Sequence, residues 1–437
     1  MRRRAIIATA AAGVLLLTAC GTGGTAPEPD STAEEVSTEV PQEEITLTLS
    51  YASDPPAQEL VDGFTELHPN ITIEMVETPF ADYQTSLKLS LASDDAPDVV
   101  QYSPGPMRAI VPAGLVQPLD AYAEAYGWQD QVSPSLLGML SSNESATQYG
   151  TGNLYAVPGA VQMVGVFYNK SLTADAGVTD EPTTLDEWED DVETVADTGV
   201  TPVALPAFGV GGFQLWGALA NVLADVDVFN AWVYGEPDTS LESDPGFAEA
   251  AATVQEWSQA GYFPPDASAA ADEDEISAFN QGERAYYVTG NWNTQEFEEA
   301  LGDDLGFFLV PGTSVDQPAV AMGSGFPYSM SSASEHKDAA AAFLNFMVNQ
   351  ESAPSVVEAG LIPVMPDEEI TPAGAGATIQ EDYLQVVHGA GIAPFANWAT
   401  SSMIDTLTSG VQGLLSGNTA PEEYVASLQS DWESNRP

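Results

Sequence analysis

One cysteine stands among 437 residues, so no disulfide forms within a single chain and the fold has to be held by its apolar core. Histidine is nearly as scarce. His68, His336 and His388 lie far apart, with neither HExxH nor Cys/His spacing, which argues against a zinc centre. Positive charge is the third shortage, with 9 Lys and Arg against 65 Asp and Glu and a formal charge of -56. Nucleic acid and anionic lipid surfaces both require basic patches, so neither is expected as a partner. There is no GxSxG elbow and no GxxxxGK[ST] loop, and Gly209-Val210-Gly211-Gly212 lacks the third glycine of a dinucleotide turn. No cofactor and no catalytic residue is therefore expected. Carboxylates are so abundant that no spacing singles out the pair a glycosidase needs.

Long apolar runs are also missing, apart from Ala5 to Leu17. That run is shorter than the roughly 20 residues a membrane-spanning helix needs. It follows Arg2, Arg3 and Arg4 and closes in Leu17-Thr18-Ala19-Cys20-Gly21, which resembles a lipobox. Residues 1–19 are expected to be a lipoprotein signal peptide and Cys20 the lipidated residue. From Gly21 to Glu44 the chain is Gly, Thr, Pro, Ser and Glu with few bulky apolar residues, the composition of a tether spanning on the order of 25–30 Å. Residues 20–44 are read as that lipidated flexible tether.

Setting the signal segment aside leaves six basic residues: Lys88, Arg108, Lys170, Arg284, Lys337 and Arg436. So acidic a surface stays soluble and gains relative stability when salt screens its self-repulsion. Work outside the cell in saline or alkaline surroundings is one hypothesis that fits, and a melting temperature indifferent to salt would remove it. Disorder is the competing account of the acidity, but 44% hydrophobic and 9% aromatic content indicate a large packed core. About 390 residues remain for that core, enough for two domains.

Ile45 to Tyr51 alternates as a strand, and Gln58 to Leu67 places Leu60, Val61, Phe64 and Leu67 on one helical face. Ile71 to Val76 reads as a second strand, Tyr83 to Ala92 as a second helix and Asp98 to Tyr102 as a third strand. That β-α-β-α-β order predicts a parallel-sheet unit with ligands beyond the strand C-termini. Further on, Val161 to Tyr168 has the β-branched content of a buried strand, and Pro182-Thr183-Thr184 precedes the Trp188, Val192, Val195 spacing of a capped helix. Phe247 to Gly261 reads as an amphipathic helix.

Several of these stretches resemble one family. Tyr168-Asn169-Lys170-Ser171-Leu172, Ala176-Gly177 and Pro182 to Trp188 resemble the middle of the type 1 extracellular solute-binding proteins, the maltose-binding-protein-like receptors of bacterial ABC importers. So do His68-Pro69-Asn70-Ile71, Ala96 to Val100, Ala113 to Asp120, Phe279 to Trp292, Gly306 to Gly312 and His336 to Phe346, in the family's order. The resemblance runs from Ile45 to Trp432. It implies a periplasmic-binding-protein type II fold, two α/β lobes with a ligand cleft and a hinge between them. Lobe 1 would hold 45–134 and 322–352, and lobe 2 would hold 135–321 and 353–437. It also implies a lipid-anchored monomer on the extracellular face of the cell membrane, delivering a small carbohydrate to ABC permease subunits and their ATPase.

Sugars have apolar C–H faces and a rim of hydroxyls, so aromatic rings and amides are the natural ligand groups. Trp188, Trp257 and Trp432 sit in helical patterns and read as core, whereas Trp292 and Trp398 lie in Gly/Asn/Pro-rich turns where an exposed indole is hard to explain by packing. The resemblance implies that Trp292 stacks on the sugar and that Trp398 is the late cleft aromatic. It places Tyr102 on the first-lobe wall and Gln162 where a polar group holds hydroxyls, a carboxylate in the maltose-type receptor. Phe208, Trp216, Tyr51, Asn291 and Gly323 complete the candidates; the alternative for each is a core or turn role. With few basic residues to pair an anion, a neutral oligosaccharide is expected. Two other readings stay open: a cationic or zwitterionic solute in an aromatic cage, and a lipid-anchored carbohydrate-active enzyme.

Overall fold

The computed structural model describes residues 36–437 apart from 53–55, 102–103, 366–369, 371 and 436–437. The signal segment, Cys20 and Tyr102 lie outside the described residues.

The first unit forms as the alternation predicts. Strand β1 (Ile45–Ala52) pairs in parallel with β2 (Ile71–Thr78) on one side and β3 (Val99–Gln101) on the other. Helix α1 (Ala57–Leu67) buries Leu60, Val61 and Phe64, and the Phe64 ring lies 5.0 Å from Phe343 and 5.8 Å from Phe346 on the helix Lys337–Val348. Leu67, expected on the same face, is exposed, because α1 ends there. Helix α2 (Phe80–Leu91) follows β2.

Two short strands, β4 (Ser141–Ser142) and β5 (Asn153–Leu154), form a separate hairpin. The long strand β6 (Val157–Asn169) is buried over almost its whole length, as a strand covered on both faces must be. The capped helix is present as Leu185–Asp197. The Thr184 side chain accepts from the Glu187 N–H, the Thr183 N–H donates to Glu187 Oε2 at 2.8 Å, and Trp188, Val192 and Val195 are buried. The remaining strands are β7 (Thr201–Ala204), β8 (Arg284–Gly290), β9 (Leu305–Phe308), β10 (Val320–Met330) and β11 (Gly391–Ala393).

Nine of the described strands join in one sheet, seven of them along the path β2-β1-β3-β10-β6-β8-β7, with β11 on β10 and β9 on β6. Strands β6 and β10 each serve two neighbourhoods. The first part of β6 pairs antiparallel with β10, and its last part pairs with β8 and β9. Strand β10 begins beside β11, crosses along β6 and ends beside β3 at Val99 to Gln101. These two strands therefore join a β1–β3 half to a β6–β9 half. The β6–β10 register shifts between Gly325 and Pro327, a bulge that bends β10 at the junction.

One boundary differs from the sequence reading. The final part of the supposed tether is bound to the body: Val36 and Val40 pack against the core, and Asn70 Nδ2 donates to the carbonyls of Pro41 and Glu43 at 2.9 and 2.8 Å. Two valines spaced four apart supply apolar contacts that the Gly/Thr/Ser composition before them does not. Among the described residues no helix is long and apolar enough to cross a membrane.

Candidate functional site

A cavity of about 890 Å³ opens where the two halves meet at the β6–β10 junction. That is within the range of small-molecule sites. Ala52, Pro79, Phe80, Tyr83, Gln84 and Gln101 line it from the β1–β3 half. The bulge in β10 contributes Phe326 and Pro327, and the far side carries Phe208, Phe213, Gln214, Asp272, Trp292 and Trp398.

Strand β8 ends in Gly290, and a Cβ there would collide with the Trp292 ring, so glycine is what lets the indole fold back over the strand end. Asn291 is buried. Its Nδ2 donates to the Val161 carbonyl at 3.0 Å, and its Oδ1 accepts from the Met163 N–H at 3.0 Å. By bracketing Gln162 in this way Asn291 acts as a rung between β6 and the turn. Gln162 and Trp292 are thereby held side by side on the cavity wall, and Gln162 Oε1 accepts from Ser324 Oγ at 2.7 Å.

Trp292 lies 6.3 Å from Phe395, and Phe395 lies 5.6 Å from Trp398, all in tilted geometry. The three rings form one continuous apolar surface. Trp398 does not have the exposed indole expected of it: only 4% of it is accessible. Its main-chain carbonyl accepts from Arg108 Nε at 3.1 Å. The Arg108 guanidinium also donates to the carbonyls of Ala146, Thr147 and Val233, and lies 4.5 Å from the centre of the Tyr149 ring. A buried arginine thus fixes the turn that presents the third ring.

Three carboxylates, Asp272, Glu273 and Asp405, line the cavity, and no Lys, Arg or His does among the described residues. Asp272 opens the helix Asp272–Asn280 and accepts from the N–H groups of Val210 at 3.1 Å and Gly211 at 3.3 Å, at the start of the helix Gly211–Leu223. Burial raises its pKa to about 6, against the lowering effect of those two donors. A Cβ at Gly209 would collide with this carboxylate, so the glycine run gives Asp272 its place rather than cradling a phosphate.

Of the sequence candidates, the cavity gathers Trp292, Trp398, Gln162 and Phe208, the last 66% exposed at the mouth. Four others are elsewhere. Trp216 lies on the face of its helix opposite Gln214, with Nε1 donating to the Phe247 carbonyl at 3.2 Å and its ring edge-on to Tyr424; it is core. Tyr51 sits opposite Glu77 across the β1–β2 ladder with its hydroxyl 3.4 Å from that carboxylate, and strand alternation gives the cavity to Ala52 instead. Asn291 is a positioning residue. Gly323 faces Met163 on β6, and a Cβ there would collide with the Gln162 carbonyl, so it permits the close approach of the junction strands. Trp128 and Trp232 are fully buried.

Sequence reasoning missed Phe395, Gln214 and Asp272. Asp272 is one carboxylate among 65 acidic residues. The available signal was the pairing of a glycine run before one helix with an acidic start to another, and only the fold brings the two together.

Residues 50–354, more than half of the chain, match the family described as Bacterial extracellular solute-binding protein. Among curated proteins, the chain is 25% identical over 287 residues to the diacetylchitobiose binding protein DasA of Streptomyces coelicolor, covering 64% of this chain and 63% of that one. It is 21% identical over 303 residues to a galactooligosaccharide-binding protein of Bacillus subtilis, covering 68% and 66%. The matches thus span just under two thirds of these two relatives. A solved chitin oligosaccharide binding protein superposes with a TM-score of 0.74 at 22% identity, over 90% of this chain and 98% of the other. The fold is accordingly the two-lobed type II fold, and these relatives are binding proteins rather than enzymes, which sets the carbohydrate-active-enzyme reading aside. The chain belongs to the bacterial extracellular solute-binding protein family.

Proposed function

We propose that this protein captures an uncharged oligosaccharide by closing its two lobes over the central cavity and delivers it to the permease and ATPase of an ABC importer. The observation that carries the reading is the wall itself. An apolar surface of Trp292, Phe395 and Trp398 suits the C–H face of a sugar, and the amide of Gln162 and the nearby carboxylates suit its hydroxyl rim. Relatives named for sugar binding support the same class. The lobes divide as 45–134 with 322–352 and 135–321 with 353–437, with β6 and β10 as the hinge. Ligand contacts with both lobes would shift the equilibrium from open to closed. Lipid attached at Cys20 holds the monomer on the outer face of the cell membrane.

Tryptophan fluorescence titrated with neutral oligosaccharides tests this reading. A saturable change with one sugar, lost in Trp292→Ala, is expected. A second reading has its own support, because three carboxylates beside aromatic rings also suit a cationic or zwitterionic solute. Saturation by betaine or spermidine with no response to any sugar would favour it.

A further inference from the structure

The far wall of the cavity holds an acceptor with nothing to accept. Gln214 lines the cavity and is 4% exposed, yet its Oε1 has no hydrogen-bond partner. A buried polar atom left in that condition costs about 1–3 kcal/mol, so it needs an explanation. Beside it, across the start of the Gly211–Leu223 helix, stands Asp272. Each of its oxygens takes one backbone N–H from Val210 or Gly211, and an ionised carboxylate has further lone-pair sites beyond those two. Glu273 on the same helix adds negative charge at this side of the cavity. Asn293 lines the cavity too, but its amide is already engaged with Thr289 Oγ1 at 3.0 Å. The corner offers acceptors and repels anions.

Building on the sugar-receptor reading, we infer that Gln214 and Asp272 form a donor-reading subsite that anchors one end of the ligand through its O–H or N–H groups and excludes acidic sugars. Gln214 Oε1 is closed off from the cavity in this structure; a half-turn of its amide presents it to a ligand donor, and Asp272 accepts a second. A carboxylate or phosphate on the sugar would meet Asp272 and Glu273 with no lining cation to offset them. Neutral and amino sugars are admitted, and uronates and sugar phosphates are not.

Calorimetric titration of the full chain with xylotriose, maltotriose, raffinose and diacetylchitobiose, and with digalacturonate as the acidic probe, tests the subsite in the wild type, Gln214→Leu and Asp272→Asn. For whichever neutral sugar binds tightest, each substitution is expected to weaken binding at least tenfold, and digalacturonate is expected not to bind the wild type. Gln214→Leu also carries a readout that a structural role would reverse. Removing an unsatisfied buried acceptor should leave the melting temperature unchanged or raise it while affinity falls. Neutral-sugar affinities within twofold of wild type in both variants, or tight digalacturonate binding by the wild type, would overturn the subsite and leave the sugar reading standing. If the wild type binds none of the neutral sugars, the sugar reading fails and spermidine, whose ammonium groups donate N–H bonds, becomes the probe. Tenfold weaker cation binding in Asp272→Asn would keep the corner as a donor site, and no such loss, or no cation binding at all, would overturn it.

Discussion

The two walls of the cavity differ in how far their polar groups are already spoken for. On the β1–β3 side the Tyr83 hydroxyl donates to the carbonyls of Ser50 and Gln101, and Gln101 Oε1 accepts from the Ala52 N–H at 2.9 Å. Burial drives the Tyr83 pKa well upward, so that phenol stays a donor. On the opposite side Gln214 Oε1 is unpartnered, Asp272 keeps acceptor capacity and the aromatic surface of Trp292, Phe395 and Trp398 is gathered. Side chains of similar type thus do different jobs on the two walls. Tyr83 and Gln101 on the near wall are tied down by backbone groups, whereas Gln214 and Asp272 on the far wall leave contacts for something else.

Substitutions can break or sharpen that contrast. The largest effect on binding is expected on the far wall, where Trp292→Ala should weaken the sugar about 30-fold, about 2 kcal/mol, the scale of a buried aromatic anchor. A change below threefold by calorimetry would mean that the ring surface is not the docking face. At the junction between the walls, Gly323→Ala forces a methyl group against the Gln162 carbonyl. Denaturant unfolding should show a loss of about 1–3 kcal/mol, the cost of overpacking, and an unchanged midpoint would mean that β6 and β10 separate easily. Tyr83→Phe on the near wall should show the opposite profile to Trp292→Ala. It removes a hydrogen bond worth about 1 kcal/mol of stability and should leave sugar affinity within about threefold. Equal losses of affinity on both walls would erase the distinction.

The smallest expected effect concerns charge. Burial raises the pKa of Asp272 to about 6, of Asp191 to about 6 and of Asp382 to about 7, with neighbouring acids adding to each. In each case the folded state holds its proton more tightly than the unfolded chain, whose aspartates titrate near 3.9. Between roughly pH 4 and 7 the folded form therefore binds more protons, and stability falls as pH rises through that window. The exposed Glu187, whose pKa is lowered by its bonds to Thr183, works in the other direction. Self-repulsion among the 65 acidic residues adds to the fall. The melting temperature should be higher at pH 5 than at pH 8, and Asp272→Asn should flatten part of the slope. A higher melting temperature at pH 8 would show that these carboxylates are less buried than their surroundings indicate.

The sequence by itself determined the local elements and the family. Alternation from Ile45, the α1 spacing and the Thr183, Thr184 and Glu187 cap are set by nearest neighbours in the chain, and the structure realises each one. It also pointed to Trp292, Trp398, Gln162 and Phe208, which the cavity brings together from positions as far apart as 162 and 398. It named both Trp398 and Trp216 as candidates, and both are buried aromatics in apolar surroundings. Which one meets the cavity depends on the rotation of a helix in one case and on the Arg108-held turn in the other. It did not find the corner of Gln214 and Asp272, because Asp272 has no distinguishing neighbours in sequence. Its role arises from a contact with Val210 and Gly211, 62 and 61 residues away. Short-range periodicity writes strands and helices into the chain, whereas an unpartnered polar side chain on a cavity wall exists only after distant segments have packed.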